Sequence, residues 1–102
     1  KWVRKAAEQG HAAAQFNLGI ALANGEGVAK NEVEAVKWFR KAAEQRHADA
    51  QYNSGLMLLN GQGVAKDEVD AVKWFLKAAE QGNANAHFTL GVVLTNGQGV
   101  AK

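Results

Sequence analysis

The chain has 102 residues, 47% hydrophobic and 22% charged, a balance that suits one soluble domain. Its formal charge of +2, with Lys and Arg mixed among Asp and Glu, is too small to carry nucleic-acid or membrane binding by charge alone. The absence of cysteine excludes disulfides and thiolate metal sites and leaves the redox compartment open, and no apolar run approaches the ~18 residues of a membrane-spanning helix.

Residues 1–9 read as a short helix carrying Trp2-Val3-Arg4-Lys5-Ala6-Ala7-Glu8-Gln9, and this octad returns almost unchanged at 38–45 and 74–81. The tryptophans Trp2, Trp38 and Trp74 therefore recur every 36 residues, a period that signals a stacked array of repeats. Lys1, Arg4 and Lys5 set positive charge against the helix dipole, and the chain opens inside a repeat, so it reads as a fragment of a longer array. On that reading the first helix is the weakest part of the fold.

A second kind of helix is expected over 11–24, with companions over 47–60 and 83–96. Each carries one central glycine (Gly19, Gly55, Gly91), a residue costing up to ~1 kcal/mol against alanine. Its return at one place in every copy predicts close approach of a neighbouring helix. Each ends in Asn-Gly and a Gly-x-Gly-Val loop: Gly25, Gly27 and Val28; Gly61, Gly63 and Val64; Gly97, Gly99 and Val100. The first glycine suits a left-handed helix end, and the valine is expected to tuck between helices.

The helix over 31–45 opens on Asn31 with Glu34 three residues on, and the next copy offers Asp67 with Asp70, the spacing of an N-cap and its third helical residue. Ala35, Val36, Trp38, Phe39, Ala42 and Ala43 make a wide apolar face, leaving Arg40, Lys41 and Glu44 to solvent, with Lys41 and Glu44 close enough to pair weakly. Gly10 and Gly82 suit the left-handed residue that stops such a helix. Their equivalent is Arg46, which then carries roughly 1 kcal/mol of backbone strain. Ser54 stands where the other copies have Leu18 and Leu90, and its hydroxyl is expected to bond a carbonyl one turn back.

The pattern Ala-x-Ala-Gln-Tyr/Phe-Asn-x-Gly, then Asn-Gly-x-Gly-Val, then Ala-x-x-Trp-Phe-x-Lys-Ala-Ala-Glu-Gln-Gly resembles the Sel-one-like repeat, a relative of the tetratricopeptide repeat. The resemblance covers the whole chain. It implies an all-α fold, a right-handed superhelix of antiparallel helix pairs with six helices here and the Asn-Gly-ending helices lining the concave side. The repeats divide as a partial one over 1–10, complete ones over 11–46 and 47–82, and a partial one over 83–102. Family members often carry proline where this chain has Ala29, Ala65 and Ala101, which loosens those loops slightly. Such repeats occur in bacterial adaptors, secreted host-interaction factors and endoplasmic-reticulum quality-control assemblies, and nothing in the chain chooses a compartment.

No catalytic, cofactor or metal site is expected. The glycine-rich loops follow helix C-termini, the negative end, whereas a phosphate cradle precedes an N-terminus. His11 and His47 lie one repeat apart and start helices, His87 is singular, and no histidine or carboxylate is placed to activate Ser54, the only serine. The better candidate is a concave groove for a peptide or partner helix. Alignment with the tetratricopeptide pattern turns Phe16, Asn17 and Ile20 toward it, then Asp49, Tyr52, Asn53, Leu56 and Leu59, then Asn85, Phe88 and Val92. Aromatic and amide ladders of this kind suit an extended peptide, since amides pair with backbone groups and apolar residues supply area. Asn24, Asn60 and Asn96 fit helix capping better. Ala13, Asp49 and Asn85 stand where carboxylate-clamping tetratricopeptide domains need Lys or Arg, so no strong grip on a free carboxylate is expected. The function expected is a non-enzymatic interaction scaffold or adaptor. The alternative is a spacer segment that self-associates head-to-tail through complementary open ends.

Overall fold

The computed structural model describes residues 2–96. Six helices follow one another: α1 (Trp2–Glu8), α2 (Ala12–Asn24), α3 (Glu32–Glu44), α4 (Ala48–Asn60), α5 (Glu68–Glu80) and α6 (Ala84–Thr95). Sequential helices pack antiparallel in a right-handed superhelix of 36-residue repeats, about 46 × 25 × 17 Å overall. The odd-numbered helices form one layer and the even-numbered ones the other.

Local chemistry explains most boundaries. The Asn31 and Asp67 side chains accept hydrogen bonds from the Glu34 and Asp70 amides, each at 3.0 Å, as the spacing predicts. The returning carboxylate of a reciprocal capping box is absent, because Glu34 instead accepts from Trp38 Nε1 at 3.3 Å and pairs with Arg4 at 3.3 Å. His47 Nδ1 and the Asn83 side chain cap α4 and α6 by accepting from the Ala50 and Ala86 amides, whereas His11 makes no such bond. Helix α3 closes in a Schellman motif: the Arg46 amide donates to Ala43 O and the His47 amide to Ala42 O. Gly10 and Gly82 do the same for α1 and α5. Arg46 has φ 69°, the one non-glycine among the described residues with positive φ, in agreement with the sequence.

The two layers bury different patterns. Helices α3 and α5 bury one stripe each, Ala35, Val36, Phe39, Ala42 and Ala43 in α3 and its equivalents in α5. Helix α4 lies between α3 and α5 and is apolar around much of its girth, burying Ala50, Gln51, Ser54, Gly55, Met57 and Leu58. The central glycines permit the docking. A Cβ at Gly19 would lie 2.6 Å from the Phe39 ring, and one at Gly55 2.6 Å from that of Phe75. Val64 is half-buried and packs against both main core clusters, as expected of the loop valine, whereas its equivalent Val28 is exposed and joins neither. Gly97, Gly99, Val100 and Ala101 lie outside the described residues.

A chain of glutamines joins the repeats, and the sequence reading missed it. Buried Gln15 donates from Nε2 to Ala7 O (3.1 Å) while its Oε1 accepts from Gln45 Nε2 (2.8 Å). Gln51 repeats this with Ala43 O (3.2 Å) and Gln81 (2.9 Å). Each amide thus satisfies a carbonyl near the end of one helix and a side chain of the next pair. The signal was present in the return of Gln15 and Gln51, and of Gln9, Gln45 and Gln81, at fixed places. His87 stands third in line and is exposed.

Three expectations are corrected. Ser54 Oγ is buried and makes no hydrogen bond among the described residues. Ser54 is 1% exposed beside buried Gly55, Met57 and Leu58, so its hydroxyl occupies an apolar position that leucine fills in the other copies. Lys41 does not pair with Glu44; its Nζ lies over the Trp38 ring, 5.8 Å from the centroid, where the indole face competes for the cation. At Gly91 a Cβ would meet nothing within 4 Å, since no described helix covers that face of α6.

Candidate functional site

The even-numbered helices meet along one side of the array, where the expected binding residues fall into three groups. The first group is structural in its contacts. The Phe16 ring lies 5.9 Å from Phe39 and 4.9 Å from His47, and Tyr52 lies 5.7 Å from Phe75, so each aromatic rests on the following odd helix. Tyr52 also meets Thr89 through its hydroxyl at 3.3 Å. Leu59 is half-buried against the α4–α5–α6 core.

The second group shares one hollow. Ile20, Ala23 and Asn24 of α2 face Asn53, Leu56, Met57 and Asn60 of α4, with Phe39, Glu32 and Gln62 completing a cavity of about 200 Å³. Its floor is apolar. Its polar lining comprises three asparagines, one glutamine and a carboxylate, none of them hydrogen-bonded through its side chain to another described residue. Asn24 and Asn60 are the last residues of α2 and α4, and the left-handed backbone of Gly25 and Gly61 ends those helices. Glu32 reaches the hollow because the loop after α4 lies directly against the start of α3. A Cβ on Gly63 (φ 68°) would collide with the Glu32 carbonyl, so glycine is required twice over, by conformation and by space.

The third group is scattered. Asn17 lines a different hollow with Val3, Arg4, Leu18, Ala21 and Val28. Asp49 accepts from the Asn83 amide group at 2.8 Å, and Asn85 is exposed. Phe88, 75% exposed, and Val92 line an open face of α6 with His87, Gly91, Thr95 and Asn96. Sequence alignment could not separate these groups, because equivalent residues have different neighbours at different places in the stack.

Among the described residues, no group of three His, Cys, Asp or Glu side chains could hold a metal, and no helix is long and apolar enough to cross a membrane. A model of the Sel1 repeat matches residues 1–11, 12–47 and 48–83. No curated protein sequence matches the chain. Among solved structures, the chain is similar to a Sel1 repeat protein from Oxalobacter formigenes at 48% identity and TM-score 0.93, over 99% of this chain and 42% of that one. It is also similar to c5321, a protective antigen of uropathogenic Escherichia coli strains displaying an SLR fold, at 43% identity and TM-score 0.95, over 98% of this chain and 21% of that one. A third likeness is to Helicobacter pylori cysteine rich protein B, at 31% identity and TM-score 0.82, covering 87% of this chain and 67% of that one. The chain thus spans less than half the length of the first two. Sel1 repeats typically mediate protein–protein interaction. With the matched repeats covering most of its length and the overall fold shared with a Sel1 repeat protein at 48% identity, the chain belongs to the Sel1 repeat family.

Proposed function

We propose that the chain is a non-enzymatic protein-interaction scaffold that holds an extended peptide against α2 and α4. The observation that carries this reading is the hollow floored by Ile20 and Leu56, where Asn24, Asn53, Asn60 and Gln62 have side-chain amides without partners among the described residues. Amides of this kind offer both donors and acceptors to a peptide backbone, and the apolar floor offers contact area. A displayed random-peptide library provides the test. Binders are expected for the native chain and should be lost in Asn53→Lys and Asn60→Lys with helicity unchanged by circular dichroism. Binding that survives both substitutions would place the site elsewhere.

A second reading, assembly through head-to-tail contact, has its own observation. Phe88, Gly91 and Val92 on α6 repeat Phe16, Gly19 and Ile20 on α2, which α3 covers through Phe39. A second copy could lay α1 there, with exposed Val3 in the place of Phe39. Light scattering should then show a mass that rises with concentration and returns to monomer in Phe88→Asp; a constant monomer mass at millimolar concentration excludes it.

A further inference from the structure

We infer that the hollow between α2 and α4 selects a peptide carrying a lysine or arginine next to an aliphatic side chain, an inference that rests on the groove reading above. The polarity of the lining is one-sided. Among the described residues, Glu32 supplies the one formal charge on the cavity wall, and no lysine or arginine lines it. The Glu32 carboxylate makes no ion pair with a described residue, whereas Glu34 and Asp70 are held by Arg4 and Arg40.

Lys30 and Lys66 lie beside Gly25 and Gly61; neither lines the hollow or forms an ion pair with Glu32, and Lys66 pairs with Glu68 at 3.5 Å. The C-terminal ends of α2 and α4, at Asn24 and Asn60, also open on the hollow and present the negative pole of each helix. The N-terminus of α3, at Glu32, carries the opposite pole, so the helix ends offset one another and the formal charge of the wall is the carboxylate's, which attracts a cation and repels an acidic side chain or a phosphate backbone.

Geometry adds the second half of the specificity. Ile20, Leu56, Phe39 and Met57 supply the apolar lining, a seat for one aliphatic side chain in a volume of about 200 Å³. In an extended peptide neighbouring side chains point to opposite sides, so the residue beside the seated one turns outward, where a long lysine or arginine can fold back to the rim at Glu32. A short cation could not make that reach.

A positional-scanning library of hexapeptides capped at both ends, read by fluorescence anisotropy, tests this. The expected result is selection of an aliphatic residue with adjacent lysine or arginine. Glu32→Gln should weaken the selected basic peptide roughly fivefold to tenfold, the loss of one charge-assisted hydrogen bond. Gln62→Glu, on the same wall and exposed, should strengthen it, which keeps the test independent of any effect of Glu32 on α3. Peptides that bind without preference for a basic residue, or whose preference survives Glu32→Gln, overturn this inference and leave the groove reading intact. Failure of every pool to bind overturns the groove reading and this one with it.

Discussion

The glycine–phenylalanine junctions and the α2–α4 hollow meet at Phe39, which serves both, yet they are built on opposite rules. Gly19 against Phe39 and Gly55 against Phe75 are near copies, with the two rings 1% and 0% exposed and the same 2.6 Å approach. Around them the buried glutamines are fully engaged. In the hollow the polar side chains have no partners among the described residues, and its wall draws on Glu32 and Gln62 from different repeats. Groups paired within the protein hold the array together; groups left to solvent are what a partner can use.

The sharpest way to break that contrast is to remove a junction ring. Phe75→Ala should cost about 3–5 kcal/mol, because the ring is wholly buried and the packed helices cannot close the space. Chemical denaturation should show the loss; a cost below ~1 kcal/mol would mean the junction is dispensable. A glycine pair then tests close approach itself. Gly55→Ala should destabilise by roughly 1–3 kcal/mol because its Cβ meets Phe75. Gly91→Ala, with open space around it, should instead stabilise by up to ~1 kcal/mol through helix propensity. Equal effects at the two sites would remove the packing explanation. An effect of similar size is expected at Arg46, where Arg46→Gly should relieve the left-handed strain and stabilise by about 1 kcal/mol, a rise in Tm of roughly 4–8 °C. An unchanged or lower Tm would show that the Arg46 side chain has a stabilising role of its own.

Much of this was legible in the chain. The 36-residue step of Trp2, Trp38 and Trp74 fixes the repeat, and the caps at Asn31 and Asp67 and the left-handed stops at Gly25, Gly61 and Arg46 follow from residues three to five apart. The candidate site was only half legible. Alignment named Ile20, Asn53 and Leu56, which share the hollow, along with Asn17, Asp49 and Asn85, which do not.

The sequence by itself determined the helices, their ends and their period, because capping, amphipathic spacing and glycine conformation act within a few residues. Only the tertiary structure decided what depends on docking between distant segments. It distinguishes Gly55, which must lack a side chain, from Gly91, which need not. It links Gln15 to Gln45 and Gln51 to Gln81, 30 residues apart, and leaves the Ser54 hydroxyl without a partner among the described residues. It also brings the loop at Gly63 against Glu32, so that a carboxylate from the start of α3 stands at the edge of a hollow made by α2 and α4. Identical residues in successive repeats see different neighbours along the stack, and those neighbours are what a local pattern cannot encode.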